Sequence, residues 1–320
     1  MNIIPGKFSV IVPVFNSQRH LKESLDSVMA AVKSYGNAEL IALDNGSTDD
    51  SYQILQREYG QAQICSVPGW TIAALRNRGA ELASGEYLSF IDSDCVISTN
   101  YFDEALRLFQ SVDADATGSM CVLPDTANWI ERSWHALHVR RKDGYVNYLN
   151  SGNLVVKRSA FDQVGGFNAS LVTGEDAELA ERLRSADFKI YECQNVRAIH
   201  LGIPRSIGQF VRRQAWYGQG MLGDLRLWKP LTTSLLYLVL IILGLLSFYI
   251  MPGPLILRFV VFLLLLNTIP ALAVGYRLRR LGHIISPLPS LFLYHCFYVG
   301  RLRGLARVLV GNVARTYRKE

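Results

Sequence analysis

Four short apolar runs between Phe8 and Asp92 are separated by stretches of helical periodicity, and this alternation restricts the fold more than any other feature. The runs are Phe8–Val14, Leu40–Asp44, Ile64–Val67 and Tyr87–Asp92, and the intervening helices are expected over Leu21–Lys33, Asp50–Tyr59 and Ile72–Ala83. Strands alternating with helices imply a mostly parallel sheet covered on both faces. Such sheets bind ligands at the carboxyl ends of their strands, and Asn16, Asp44 and Asp92 fall at or just after those ends. No GxGxxG or GxxxxGK[ST] is present, so neither a dinucleotide fold nor a P-loop is indicated.

Charge divides the chain in two. Residues 1–203 hold 18 Lys/Arg against 25 Asp/Glu, a net −7; residues 204–320 hold 15 against 2, a net +13. The acidic front half argues against nucleic acid, which needs a basic surface. Cys65, Cys95, Cys121, Cys193 and Cys296 are odd in number and lack CxxC spacing, so they read as reduced core residues of a cytosol-facing protein.

The basic half carries the long apolar segments. Leu231–Met251 has no charged residue over about 21 positions, roughly 31 Å of helix and the thickness of a bilayer core. Leu255–Tyr276 is the second, with Arg258 near enough to one end to snorkel, and Pro252-Gly253-Pro254 links the two. Arg226 and Lys229 precede the pair and Arg277, Arg279 and Arg280 follow it, so a two-helix hairpin with both ends in the cytoplasm is expected; a buried core hairpin is the alternative. Pro289–Leu309 starts apolar and then carries Arg301, Arg303 and Arg307, which favours an interfacial helix over a third span. Phe8–Val14 already reads as a buried strand, so no leader is expected ahead of the fold. Three domains follow: a catalytic domain over 1–203, an amphipathic interfacial region over 204–229, and a membrane domain over 230–320 with spans near 231–251 and 255–276.

The carboxylates carry the chemistry. Asp44 ends a strand in LDNGSTDDS, Asp92 and Asp94 end another in FIDSDC, and Glu175 and Asp176 open a helix in TGEDAE. An acidic cluster at such places needs a counter-charge, which a divalent metal carrying a diphosphate supplies. Asp92 and Asp94 would share a face if the strand continues, although a turn using Asp and Ser for backbone hydrogen bonds is an equally plain reading. Ser47 and Asp50 have capping-box spacing, which leaves Asp44 to accept hydrogen bonds from a nucleobase. Glu175 and Asp176 sit where the helix dipole favours ionised acids, and a carboxylate there suits a general base.

The succession FSVIVPVFN, ALDNGSTDDS, RNRGAELASGEYLSFIDSD, SGNLVVKRSAFDQVGGFN and GEDAELAERL closely resembles family 2 glycosyltransferases over about residues 7–217. The resemblance implies a type A glycosyltransferase fold, an α/β nucleotide-diphospho-sugar transferase domain followed here by a transmembrane hairpin. Its implied activity is inverting transfer from a nucleoside diphosphate sugar, with a uridine-diphosphate sugar the first expectation. By position, Pro13, Asn16 and Asp44 would line the base and ribose site, Arg76 would lie near the nucleotide, and Asp92 would touch ribose or metal. Asp94 would hold magnesium or manganese, His200 in VRAIHLG could complete that coordination, Asp176 would be the base, and Glu175 would border the acceptor pocket. Asn45 stands where many relatives carry a second Asp.

Gln209, Arg212, Arg213 and Trp216 in QFVRRQAWYGQG resemble the Gln-Arg-Trp signature of processive polysaccharide synthases, but the Trp is displaced and only two spans follow. A chain-extruding synthase is therefore disfavoured. Arg212, Arg213 and Trp216 either grip donor or acceptor phosphate or belong to an amphipathic helix lying on anionic headgroups. The expected whole is a multi-pass enzyme of the cytoplasmic membrane, its catalytic domain facing the cytoplasm, acting on a lipid-linked or envelope-polysaccharide acceptor. A polyprenyl-phosphate glycosyl synthase is the alternative within the class, and an idle membrane scaffold of a glycan assembly complex the alternative outside it. In Cys121–Asn150, Trp129, Trp134, His135 and His138 could stack on a sugar or simply pack.

Overall fold

A computed structural model describes residues 3–137, 142–220, 228–281 and 286–311. His138 and Arg226, singled out above, lie outside them, as does the side chain of Lys229. The described residues form two compact units, one of residues 3–125 and 142–203, the other of residues 126–137, 204–220, 228–281 and 286–311. Residues 126–137 therefore group with the second unit, although the sequence places them within the catalytic domain.

The first unit opens β1 (Ile4–Val14), α1 (Gln18–Tyr35), β2 (Ala38–Asp44), α2 (Ser51–Glu58), β3 (Gln63–Ser66), α3 (Ile72–Leu82) and β4 (Gly85–Ile91). β5 (Cys95–Ile97), α4 (Tyr101–Ser111) and β6 (Ala116–Gly118) follow; α5 (Trp129–Ala136) belongs to the second unit. The first unit then resumes with β7 (Gly144–Tyr145), β8 (Asn153–Lys157), α6 (Arg158–Gln163), α7 (Glu175–Ser185), β9 (Ile190–Glu192) and β10 (Ala198–His200). Eight strands pair in the order β3-β2-β1-β4-β8-β6-β9-β7, and β5 and β10 form a separate antiparallel pair. β1 to β4 run parallel, β8 runs against β4 and β6, and β7 against β9.

Side-chain alternation explains the two-sided burial. Phe8, Val10 and Val12 of β1 pack with Leu21 and Leu25 of α1 on one face. Ile11 of β1, Leu43 of β2 and Phe90 of β4 pack with Phe161 of α6 and Leu179 of α7 on the other. A strand covered on both faces reads as an unbroken apolar run, which is why these strands were visible in the sequence. α3 comes close to β1 because Gly79 has no side chain: a Cβ there would sit 2.3 Å from Ile11 Cγ2. All five cysteines are free, and Cys95 and Cys121 place their sulfurs 4.0 Å apart.

The second unit adds α8 (Ile207–Gln219), α9 (Trp228–Ile250), α10 (Leu255–Leu281) and α11 (Pro287–Leu309). α9 and α10 contain apolar stretches, Leu231–Ile250 and Leu255–Arg280, long enough to cross a membrane, and few of their residues are buried. They meet where a Cβ on Gly244 would lie 2.9 Å from Phe262, and Arg258 donates to the Phe248 carbonyl at 2.7 Å. His295 of α11 ties both together, 2.8 Å from the Tyr237 hydroxyl through Nδ1 and 3.1 Å from Asn267 Oδ1 through Nε2. Because Asn267 Oδ1 can only accept, the ring proton belongs on Nε2 and Nδ1 accepts from Tyr237. α8 and α11 approach backbone to backbone: a Cβ on Gly304 would stand 2.0 Å from the Ala215 carbonyl, and one on Gly218 2.4 Å from that of Arg301. Small residues four apart, Gly300 and Gly304, permit this approach.

Asn153 joins distant parts of the first unit. Fully buried, it accepts from the Tyr101 hydroxyl at 2.6 Å and donates to the carbonyls of Ser119 at 3.1 Å and Val196 at 2.9 Å. Asn153→Ala removes these bonds from the core, leaving the Ser119 carbonyl without its side-chain donor, and is expected to cost about 3 kcal/mol. Denaturant titration of the detergent-solubilised protein checks this; an unchanged midpoint would contradict it.

Candidate active site

Two strand ends form the first wall. Pro13 is buried in β1 opposite Leu43, and the chain then turns through Asn16, whose φ of 47° is left-handed. Asn16 Oδ1 accepts from the Thr48 amide at 2.8 Å, and its own amide donates to Ser47 Oγ at 3.0 Å. This contact overturns the expected capping box: α2 is headed by Asp50 with no side-chain cap, and the Ser47 hydroxyl serves Asn16 instead. Asp44 is 2% exposed; its Oδ2 accepts from the amides of Gly46 and Ser47, while its buried Oδ1 has no partner. Asn45 accepts from the Trp70 amide and donates to the Trp70 carbonyl, each at 2.9 Å. An Asp could not make the second bond, which accounts for the Asn here.

Arg76 links the next two acids. Its guanidinium, 2% exposed, donates through Nη2 to Asp92 Oδ1 at 2.8 Å and through Nη1 to Glu175 Oε1 at 2.7 Å. Burial disfavours the cation, but Asp92, Glu175 and Asp176 together outweigh it and hold its pKa above the ordinary value. Arg76 was expected near the nucleotide; both its terminal nitrogens are engaged by carboxylates. Gly152 borders Asp92, since a Cβ there would stand 2.8 Å from Oδ2.

β4 ends at Ile91, and Ser93 and Asp94 lie in a turn, so the extended continuation that would have put Asp92 and Asp94 on one face does not occur. Asp94 instead meets His200. The antiparallel pairing of β5 with β10 sets His200 opposite Cys95, and His200 Nε2 lies 3.3 Å from Asp94 Oδ1. Asp94 is 1% exposed, and a Cβ on Gly202 would come 1.8 Å from its Oδ2, so only glycine fits there. Carboxylate oxygen and imidazole nitrogen are a donor set suited to manganese, and the space at Gly202 admits the carboxylate, so these residues fit a divalent cation. Cys95 Sγ lies in the same cluster, but its contact with Cys121, with burial, keeps its thiol pKa well above normal, which makes it a poor ligand.

α7 supplies the last pair. Gly174 caps it in a left-handed conformation, φ 83°, and Glu175 and Asp176 stand in its first turn. Asp176 Oδ1 accepts from the Ala177 amide and Oδ2 from the Tyr148 hydroxyl, each at 2.8 Å. Burial raises the pKa of Asp176 against the opposing pull of Tyr148 and Arg76. Burial, aided by the charge of Asp176, pushes Glu175 up to about 7 in spite of Arg76. Both acids thus keep their protons to higher pH than a free carboxylate does.

Arg212, Arg213 and Trp216 lie on α8 in the second unit. The helix is capped by Ser206, whose Oγ accepts from the Gln209 amide at 3.2 Å; Arg213 Cζ lies 6.0 Å from the Tyr217 ring centre, and the rings of Trp216 and Tyr217 are 5.1 Å apart. Trp134 packs in the same unit against Phe210, Tyr294 and Phe297. The sequence reading did not identify Tyr148, Gly152 or Gly202. The SGN and HLG contexts of the glycines were visible, but a glycine's reason for being small is not.

The glycosyl transferase family 2 profile matches residues 9–165. Glycosyltransferase AglE of Haloferax volcanii is 24% identical over 222 residues, covering 67% of this chain and 72% of that protein. The minor teichoic acid biosynthesis protein GgaA of Bacillus subtilis is 28% identical over 187 residues, 53% of this chain but only 41% of its own length. Among solved structures, a mannosyltransferase from Pyrobaculum calidifontis, in complex with GDP-Man and Mn2+, superposes with a TM-score of 0.57 at 15% identity, over 94% of this chain and 86% of that one. That likeness shows the type A glycosyltransferase fold. The profile covers the strand ends that lead to Asp44, Asp92 and Asp94, so residues 9–165 form a glycosyl transferase family 2 domain and the chain is a glycosyltransferase.

Proposed function

We propose that this glycosyltransferase moves a sugar from a nucleoside diphosphate donor, with inversion, to a hydroxyl of a lipid-linked or polysaccharide acceptor at the cytoplasmic face of a membrane. The observation that carries the reading is the Arg76 bridge. It holds Asp92, at the carboxyl end of β4, together with Glu175, which adjoins Asp176 at the start of α7. Donor and base are thereby held on one rigid frame, the condition for in-line attack. Asp176 takes the acceptor proton as the hydroxyl oxygen attacks the anomeric carbon, and the Tyr148 hydroxyl orients that carboxylate. A positioned base contributes about 10²–10⁴-fold.

Asp44 Oδ1, buried and unpaired, accepts from the donor's base, while Pro13 and Asn16 line the base and ribose pocket. Exposed Trp70 offers an aromatic surface next to them. Asp92 contacts ribose or metal, and Asp94 and His200 hold manganese or magnesium. When bound, that cation offsets charge on the diphosphate leaving group. The GDP-Man and Mn2+ in the Pyrobaculum enzyme are consistent with this donor class and cation, and a uridine nucleotide is the first to test. On α8, Arg212, Arg213 and Trp216 offer cations and an aromatic ring suited to a phosphate. The apolar stretches of α9 and α10, followed by Arg277, Arg279 and Arg280, support a membrane hairpin with a cytoplasmic flank.

Nucleotide release from a panel of nucleotide sugars, with and without manganese and with lipid extract as acceptor, tests the reading. One donor is expected to be consumed in a metal-dependent way, and Asp176→Asn should abolish transfer while nucleotide binding survives. Near-normal transfer by Asp176→Asn would remove it from the base role, and silence with every donor, with no nucleotide bound, would favour an idle scaffold. The base acts only when ionised, so activity is full above its raised pKa and is lost as the pH falls through it. The acid limb of kcat/KM is therefore expected above the ordinary carboxylate range, because burial raises the Asp176 carboxyl. Because Tyr148 stabilises the ionised carboxylate, Tyr148→Phe should move that limb to higher pH. A limb near pH ~4, where free carboxylates titrate, would contradict the assignment.

A further inference from the structure

Arg301 of α11 is a guanidinium with aromatic walls and, among the described residues, no acid beside it. Its Cζ lies 4.9 Å from the ring centre of Phe297 and 5.2 Å from that of Tyr217 on α8, and its Nε is buried without a hydrogen-bond partner. Burial pulls its pKa down to about 10, and only Tyr217 acts the other way. Among the described residues no carboxylate pairs with Arg301, and Glu131, the single acid described in the second unit, is engaged by Arg205 at 3.3 Å and by the Asn128 amide. The α8–α11 contact holds the site in place, since Gly218 packs against the Arg301 carbonyl where no side chain fits.

A second cation approaches the same ring: Arg213 Cζ lies 6.0 Å from the Tyr217 centre. The buried Arg301 guanidinium has no charge partner among the described residues, and an anion beside it supplies one. The planar fork of Arg matches phosphate oxygens two at a time. In the same unit α9 and α10 offer membrane-length apolar helices, so a phosphate reaching this unit arrives most readily on a lipid.

We infer that Arg301, with Arg213 and Tyr217, forms a binding site for the phosphate group of an anionic lipid. The inference rests on the membrane reading given above and adds a residue and a ligand class to it.

The test uses the full chain in mixed micelles, titrated with phosphatidic acid or phosphatidylcholine, with retained lipid counted by native mass spectrometry. The wild type should retain phosphatidic acid in preference to phosphatidylcholine. Arg301→Gln should retain about tenfold less, Arg301→Lys an intermediate amount, and Arg303→Gln, at an exposed position two residues on, nearly as much as the wild type. Equal retention of both lipids by the wild type, or equal loss in Arg301→Gln and Arg303→Gln, would overturn the proposal. So would binding of inorganic diphosphate with no preference for phosphatidic acid, which assigns the site to a soluble phosphate. Should Arg301→Gln fail to fold, the lipid preference of the wild type and the Arg301→Lys variant still decide. Lipid retention is read without donor or turnover, so failure of the transferase reading appears as a separate result.

Discussion

A single buried guanidinium sets the geometry on which the candidate site depends. Arg76 brings to one centre a carboxylate from the end of β4 and another from the first turn of α7, elements far apart in the chain. Glu175 and Arg76 neutralise each other in the interior, and removing Arg76 would leave that buried acid without its cation at a cost of about 3–5 kcal/mol. Burial raises Glu175 and Asp176 against the pull of Arg76, and the charge of Asp176 adds to the effect at Glu175, so both hold their protons more tightly than free acids do.

The parallel sheet was legible because its central strands are buried on both faces and leave unbroken apolar runs. The ends of those runs gave Asn16, Asp44 and Asp92 their positions, and helix-start chemistry gave Glu175 and Asp176 theirs. What escaped depended on contacts between distant short elements. β5 and β10 are three residues each, too short to carry a pattern, yet their pairing is what brings His200 to Asp94. The Ser47–Asp50 spacing suggested a local cap, but a tertiary contact with Asn16 claimed the hydroxyl. Alternation failed at Asp92 and Asp94 because the chain turns at Ser93, sending one acid to Arg76 and the other to His200. Tyr148 lies in a stretch with no periodicity, and only its hydrogen bond to Asp176 marks it.

The charge division of the sequence has a physical counterpart in the two units. The acidic first unit concentrates its carboxylates at strand and helix ends, where their charge is set against Arg76 or a candidate cation site. The second unit is basic, and its arginines stand among aromatic rings, glycine-mediated helix contacts and long apolar helices. Gly218, Gly300 and Gly304 let α8 and α11 touch through their backbones, which fixes the surroundings of Arg301, a residue with no acid paired to it among the described residues. A guanidinium such as Arg301, with no acid beside it among the described residues, suits phosphate, just as acids grouped near a metal site suit a diphosphate leaving group.

The account turns on Arg76 as a two-pronged bridge, and Arg76→Lys tests that most directly. Lysine keeps the charge but lacks the planar fork that reaches two carboxylates at once. Turnover at saturating donor and acceptor, measured on variant protein shown to be folded in detergent, should fall by about a hundredfold or more as Asp92 and Glu175 lose their common anchor. Turnover within a few-fold of the wild type would contradict the central claim.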